Sequence, residues 1–451
     1  MPAHFIIIGN GAAGLSAAEE IRRRDDRARI TILSDEPHLF YSRPGLAYYL
    51  SGEIPADRVI ARTPRDYQTQ NIHLIHRRCT DILPDQHQVV LQDGRHLQYD
   101  ALLIATGSRA VPAPFPGRDL DGIIYLDTLN QAKDIVRRTR RARTAAVIGG
   151  GITALELVEG LHARHVHTHY LLRRDRYWAS LLSEEESAII ENRLTDMGIE
   201  LHKRTQIVRV EGRKGRVEQA ILSTGERLPV DLVGVAIGVR PNIDLARRAG
   251  LQCDRGILVD TYLRTSAADI YAAGDVAQMW DRWSGEHRVD ALWPSAIASG
   301  RAAGANMAGA HQPYEKDVPF NVARLCGIMM TAIGQAAARH TDDERLLEIS
   351  RGSSQVWTAF PLAKYLRIKR VQGSTSIRLV IRDRVLVGAL LLGYQALATP
   401  LRELIAAGVD LSPILPSLQR GDQPIEDLLL DFWRAWKRHT LTASEETHHD
   451  V

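Results

Sequence analysis

The 451-residue sequence predicts an α/β chain of two parallel-sheet modules in tandem, followed by a smaller α+β module. Three observations carry that expectation. An apolar strand, a glycine-rich turn and a helix occur twice, as FIIIGNGAAGLSAAEEI and AAVIGGGITALELVEGL, with Gly9 and Gly149 140 residues apart. Short apolar strands alternate with helical stretches around both repeats, the pattern of doubly wound parallel sheets. From about Phe320 the pattern turns β-rich.

After the first repeat, RITIL reads as the next strand, VVLQDG and HLQYDALLIATG as short strands around a turn, and the Pro-rich VPAPFPG as a crossover. After the second repeat, THYLL, the paired runs QIVRVEG and RVEQAILSTG, and VDLVGVAIG complete another unit. DIYAAGDVAQ then returns the chain to the first module. Near the end, SIRLVIRDRVLVGALLLG predicts a hairpin turning at Arg382 to Arg384, followed by the helix-like ATPLRELIAAG. The tail from about Pro413 carries one amphipathic helix, IEDLLLDFWRAWKRH, and ends in TASEETHHDV, which is expected to be disordered. The expected division is 1–117 with 244–319, then 118–243, then 320–412, then a helical tail over 413–451.

Composition narrows the function classes. Hydrophobic residues at 45% and charged residues at 25% are those of an ordinary globular chain, and a net charge of +3 lends no support to nucleic-acid binding. Cys79, Cys253 and Cys326 lie far apart with no CxxC pair, so neither a disulfide framework nor a zinc knuckle is indicated, and a reducing cytoplasm fits. MPAH runs directly into an apolar strand, leaving no room for a secretion signal. The apolar LVGALLLGYQALA is too short and too interrupted to span a membrane.

In GNGAAG, Gly9 permits a tight turn, Gly11 lets the backbone approach a pyrophosphate, and Gly14 allows close helix packing. The phosphates would sit at a helix N-terminus, where unpaired amides favour an anion. Asp35 or Glu36 closes the following strand and could accept ribose hydroxyls, or the pair is a solvated turn. In GGGITA, Gly149, Gly151 and Ala154 repeat the pattern as GxGxxA, the nicotinamide-dinucleotide version. Two dinucleotide sites follow.

With LLIATG (Leu102 to Gly107), AIGVRPN (Ala236 to Asn242) and IYAAGDVA (Ile270 to Ala277), five motifs stand in one order. Over nearly everything from Phe5 to about Gly408 the chain resembles the two-dinucleotide-domain flavoproteins: ferredoxin and rubredoxin reductases, NADH oxidases, coenzyme A disulfide reductases and nitrite reductase flavin segments. The resemblance implies two Rossmann-like dinucleotide-binding domains in a glutathione-reductase-like arrangement, an α+β C-terminal interface domain, and FAD with NADP or NAD as cofactors. It places Ala13, Thr106, Gly107, Gly238 and Gly274 in the cofactor cradles, Asp275 on the ribityl chain, and Arg43 of YSRPGL on a phosphate or the adenine side, or at the surface. It aligns Glu156 with a glutamate approaching the nicotinamide, or with a helix-surface carboxylate, and Trp293 with a segment beside the isoalloxazine that starts a helix.

Two departures are informative. Where disulfide-reducing members carry a redox cysteine, this chain has Pro44; where ferredoxin reductases often carry a lysine near the flavin, it has Tyr48, a candidate catalytic neighbour or a packing residue. At the end of the second module's second strand, where NAD sites place a carboxylate, stand Arg173 and Arg174, which suit a 2′-phosphate and lean towards NADPH, or are solvated. His162, His165, His167 and His169 invite a metal reading, but no carboxylate or cysteine completes a ligand set nearby in sequence, and packed or exposed histidines are expected instead. The run RRTRRARTAA is a solvated helix face or a dock for an acidic partner. The leading expectation is an FAD-dependent NAD(P)H oxidoreductase passing electrons to a ferredoxin- or rubredoxin-like protein, as a possible homodimer. The alternatives are an oxygen-using NAD(P)H oxidase, or a flavin-binding interaction subunit docking through its tail helix.

Overall fold

A computed structural model describes residues 2–336, 365–421 and 423–446. The chain forms two compact units. The first holds Met1–Asp175 and Met197–Lys316; the second holds Arg176–Asp196 and most of the chain beyond Lys316.

The first unit contains both glycine repeats. Strand His4–Ile8 pairs in parallel with Arg29–Leu33 on one side and Ala101–Ile104 on the other. Ile72–Ile75 and Ile270–Ala272 extend this sheet to five parallel strands. The late strand Ile270–Ala272 thus joins a sheet otherwise made before residue 105. In the second sheet, Thr144–Ile148 lies between His167–Leu172 and Leu232–Val235, with Glu200–Lys203 and Ile123–Ile124 at the edges, again all parallel. Ala101–Ile104 and Leu232–Val235 are buried throughout, as expected of strands covered on both faces. The runs QIVRVEG and RVEQAILSTG form the antiparallel pair Ile207–Arg213 and Arg216–Leu222.

Behind the first sheet, helices Ala12–Arg24 and Trp293–Met307 meet backbone against backbone. A Cβ at Gly300 would stand 2.2 Å from the carbonyl oxygen of Ala13, and one at Gly304 2.5 Å from that of Ala17. Helix Gly45–Ser51 packs on helix Ile152–Ala163 through a side chain seated on a glycine: a Cβ at Gly160 would lie 2.4 Å from Leu50 Cγ. Arg164 locks that contact, its Nε and Nη2 donating to the carbonyls of Leu50 and Tyr49 at 2.9 and 3.1 Å. These bonds cap the end of one helix with a residue that follows the other.

The second unit is built on a five-stranded antiparallel sheet: Phe320–Leu325, Ile328–Gly334, Val385–Leu392, Thr375–Arg382 and Tyr365–Gln372 in spatial order. The expected hairpin turns at Asp383 and Arg384, both with positive φ. Helix Glu184–Asp196 belongs to this unit, and its Glu186 pairs with Arg378 at 2.9 Å, both almost wholly buried. Arg378 also donates to the carbonyls of Leu181 and Ala336, so the buried charge is well supplied with partners. The tail helix Ile425–Glu446 docks on helix Ala398–Ala407: Trp433 Nε1 donates to Glu403 at 2.7 Å and Lys437 Nζ lies 2.9 Å from it. The expectation of disorder from Thr442 is corrected, because Thr442 to Glu446 continue this helix; residues 447–451 lie outside the described residues. Among the described residues no helix is long and apolar enough to cross a membrane.

Adding one methyl at Gly300 drives Cβ into a carbonyl, so Gly300→Ala is expected to cost about 1–3 kcal/mol. The check is a lowered thermal midpoint, with a parallel disturbance of the first glycine loop, because the helix that Gly300 presses on, Ala12–Arg24, begins at that loop.

Candidate functional site

Both glycine loops are built alike. Gly9 has φ +120°, and a Cβ there would stand 2.1 Å from the carbonyl oxygen of Ala105; Gly149 has φ +142° and the same relation, at 2.2 Å, to Ala236. In each loop the tip of a neighbouring strand presses on the turn, so only glycine fits. Gly11 and Gly151 are the N-cap residues of helices Ala12–Arg24 and Ile152–Ala163, and neither helix receives a side-chain cap. A Cβ at Gly11 or Gly151 would meet nothing within 4 Å. Uncapped amides facing open space are what an anionic pyrophosphate needs. Gly14 and Ala154 close the loops from below: a Cβ at Gly14 would lie 2.0 Å from Gly9 O, and the Ala154 methyl would lie 2.8 Å from a Cβ at Gly149. In the first loop Asn10 Nδ2 is buried without a protein partner, a cost an anion there would offset.

The remaining motifs converge on the first loop. Strand Val239–Pro241 pairs antiparallel with Ser108–Ala110, which brings AIGVRPN to LLIATG. Thr106 Oγ1 donates to the Asn242 carbonyl at 3.0 Å, Asn242 Nδ2 donates to the Thr106 carbonyl at 2.9 Å, and the Asn242 amide donates to Gly107. Asp275 accepts from Ser108 Oγ at 2.7 Å. Gly274 has φ +74° and donates its amide to Ser299 Oγ, and a Cβ on it would lie 2.9 Å from that of Ala13. Trp293 is the first residue of its helix and packs on Phe40 with ring centroids 5.8 Å apart. That helix also lacks a side-chain cap, which leaves the positive end of its dipole uncompensated by its own residues. Asn242, Ser108 and Ser299 were not singled out as site residues from the sequence; the first two lie within or beside quoted motifs, whereas Ser299 carries no local signal.

The structure separates Asp35 from Glu36. Asp35 is exposed and makes no hydrogen bond or ion pair with the described residues. Glu36 accepts from Tyr41 Oη at 2.9 Å and pairs with Arg43 at 3.2 Å. Arg43 also pairs with Asp127 at 3.4 Å and donates to its carbonyl. Burial opposes the Arg43 charge, but Tyr41, Asp127, Glu36 and Asp275 together raise its pKa. Arg43 is therefore a charged hub within electrostatic reach of the Asp275 loop, already bound to two protein carboxylates.

Around the second loop, Glu156 is half-buried on helix Ile152–Ala163, and Gly238 has φ +130° just before strand Val239–Pro241. Arg173 and Arg174 directly follow strand His167–Leu172 and are exposed. Tyr48 is 38% exposed on helix Gly45–Ser51, whose N-cap is Pro44. In the basic run, Arg138 bridges Asp134 and Asp121 and Arg137 pairs with Asp134, while Arg140, Arg141 and Arg143 are exposed. Cys79, Cys253 and Cys326 form no disulfide and lie outside helix Gly45–Ser51, and burial pushes Cys79 up to about 12. One expectation is corrected: a carboxylate does reach the histidine run, because Glu200 on the adjacent strand meets His167 and His169. His162 lies on the preceding helix and His165 in the turn, so neither belongs to that cluster.

The paired glycine loops, the orphaned Asn10 amide and the converging dinucleotide motifs fit FAD in the first half and a nicotinamide dinucleotide in the second, and define a two-dinucleotide flavoprotein. Residues 3–300 match the family described as pyridine nucleotide-disulphide oxidoreductase, and the chain belongs to that family. It is 30% identical over 430 residues to putidaredoxin reductase CamA of Pseudomonas putida, covering 90% of this chain and 97% of that protein. It is 32% identical over 333 residues to the biphenyl dioxygenase system ferredoxin–NAD(+) reductase component of Paraburkholderia xenovorans, covering 73% and 80%. The solved covalent putidaredoxin reductase–putidaredoxin complex is similar with a TM-score of 0.82 at 26% identity, covering 96% of this chain and 99% of that one.

Asn242→Ala removes two side-chain bonds, one donated to the Thr106 carbonyl at 2.9 Å and one accepted from Arg109 at 3.1 Å, and loosens the strand-end turn that Thr106 helps form. It is expected to cost about 1–3 kcal/mol. Slower rebinding of FAD to flavin-stripped protein, with near-native circular dichroism, would show the effect.

Proposed function

We propose that this chain is the NAD(P)H-dependent reductase of an electron-transfer pair, delivering electrons to a ferredoxin-like or rubredoxin-like iron protein. The observation that carries this reading is the combination of two complete dinucleotide cradles with Pro44 where a redox thiol would stand. The bound cofactors supply hydride transfer from nicotinamide to flavin and the division of the pair into single electrons. The protein contributes position and charge. Asp35 is the carboxylate that would take the first dinucleotide's ribose, Thr106 and Gly107 would hold its pyrophosphate, and Asp275 would accept from the ribityl chain. Glu156 serves the nicotinamide side, and the helix headed by Trp293 stabilises negative charge on the ring. Tyr48 is a partly exposed neighbour on helix Gly45–Ser51 and takes no proton in this scheme. The Arg164 clamp and the Gly160–Leu50 contact hold the two cradles in one orientation, which is what a two-ring hydride transfer requires.

The same reading assigns 1–117 with 244–319 to the FAD domain, 118–243 to the nicotinamide domain, 320–412 to an interface domain and 413–451 to a helical tail. Docking of the tail helix on helix Ala398–Ala407 makes an interaction-subunit role through that helix less economical. Cysteines kept out of disulfides support a reducing, cytoplasmic location. Relatives named for dioxygenase systems and for putidaredoxin support an iron–sulfur acceptor. The deciding experiment follows the flavin spectrum anaerobically. Bleaching by reduced nicotinamide, slow reoxidation in air and fast reoxidation by an oxidised ferredoxin are expected; fast reoxidation in air alone would instead make this an oxidase, and no bleaching would end the hydride-transfer reading.

One named relative uses NAD(+), so NAD(H) is the coenzyme the family supports. Arg173 and Arg174, exposed directly after strand His167–Leu172, are proposed to meet a 2′-phosphate and so to admit NADPH as well. An Arg173→Ala/Arg174→Ala variant is expected to raise KM for NADPH by about 10- to 100-fold, the loss of one or two charge-assisted contacts. KM for NADH should stay within about twofold; equal changes for both coenzymes would remove the arginines from phosphate recognition.

A further inference from the structure

We propose that His167, His169 and Glu200, with His202 against His169, form a binding site for a zinc-class divalent transition metal at the edge of the second parallel sheet. The cluster arises from strand geometry. Side chains two apart on a strand share a face, so His167 and His169 project together, and Glu200 and His202 do the same from the next strand. The parallel register sets His169 opposite Glu200. His167 Nε2 lies 2.8 Å from Glu200 Oε1, His169 Nδ1 lies 3.2 Å from Glu200 Oε2, and His169 Nδ1 lies 3.1 Å from His202 Nε2. One ligand atom from each of His167, His169 and Glu200 fits within a span of 4.8 Å.

Tetrahedral zinc, with bonds of about 2.0–2.1 Å, sets neighbouring donors roughly 3.3 Å apart, so these groups need only small side-chain rotations to bind. Imidazole with one carboxylate suits zinc, and cobalt and nickel as its analogues, and excludes hard cations that prefer oxygen cages. His169 is 9% exposed at its side chain, whereas those of His167 and Glu200 are about half exposed, which leaves an entry route from solvent. The site lies at the amino end of strand His167–Leu172, while Arg173 and Arg174 mark its other end. A metal there would tie the edge strand Glu200–Lys203 to its neighbour and take no part in hydride transfer.

The test uses the flavin-loaded full chain, free of any affinity tag and stripped with chelator, titrated with zinc against a competing chromophoric chelator. One zinc ion per chain is expected, together with a rise in thermal midpoint. His167→Ala and Glu200→Gln, both at half-exposed positions, should each weaken binding by at least about tenfold while leaving flavin content and NADH-dependent turnover unchanged. His202→Gln is the third variant, in case either of the first two alters the sheet edge. Absence of zinc binding by the parent chain, or equal affinity in parent and all three variants, overturns the proposal, the latter by placing the metal on histidines elsewhere.

Discussion

Much of the first unit depends on two helices touching without side chains between them. Helix Ala12–Arg24 follows the first glycine loop, and helix Trp293–Met307 begins with an uncapped positive end of its own. Their approach at Ala13, Ala17, Gly300 and Gly304 fixes both heads relative to one cofactor. Any larger residue at the seam would separate parts of one cradle that come from opposite ends of the unit. The Gly274 turn enters the same seam, bonded to Ser299 and pressed on Ala13, so the position of the Asp275 carboxylate is set by that contact as well.

A second constraint couples the halves. Two binding sites on one chain would transfer no hydride unless held face to face, and geometry at the ångström level governs such a step. Gly160 against Leu50, with Arg164 capping the same helix, supplies a rigid joint made of close packing and two hydrogen bonds to backbone. The zinc-class cluster stands at the far end of the same second sheet and would stiffen its edge strand rather than its chemistry.

Legibility in the sequence was uneven, for physical reasons. Gly9, Gly14 and Gly149 were legible because a backbone under a neighbouring carbonyl permits no Cβ, which leaves a mark in the sequence. The Asp275 loop was legible through its flanking glycine and the resemblance it carries. The choice between Asp35 and Glu36 was not, because it depends on Arg43 and Tyr41 folding back to occupy Glu36. Assignment of Arg176–Asp196 to the second unit was equally hidden, since it rests on Glu186 meeting Arg378 almost two hundred residues later.

By itself the sequence determined the two strand–turn–helix glycine loops, the FAD and nicotinamide cofactor class, and a proline rather than a thiol at position 44, because these depend on residue type at short spacing. The tertiary structure alone decided which polar groups meet: Thr106 with Asn242, Ser108 with Asp275, and Glu200 with the histidines of a strand 31 residues earlier. Parallel strands are joined by long crossovers, so partners across them are set by register and packing, which no local pattern records.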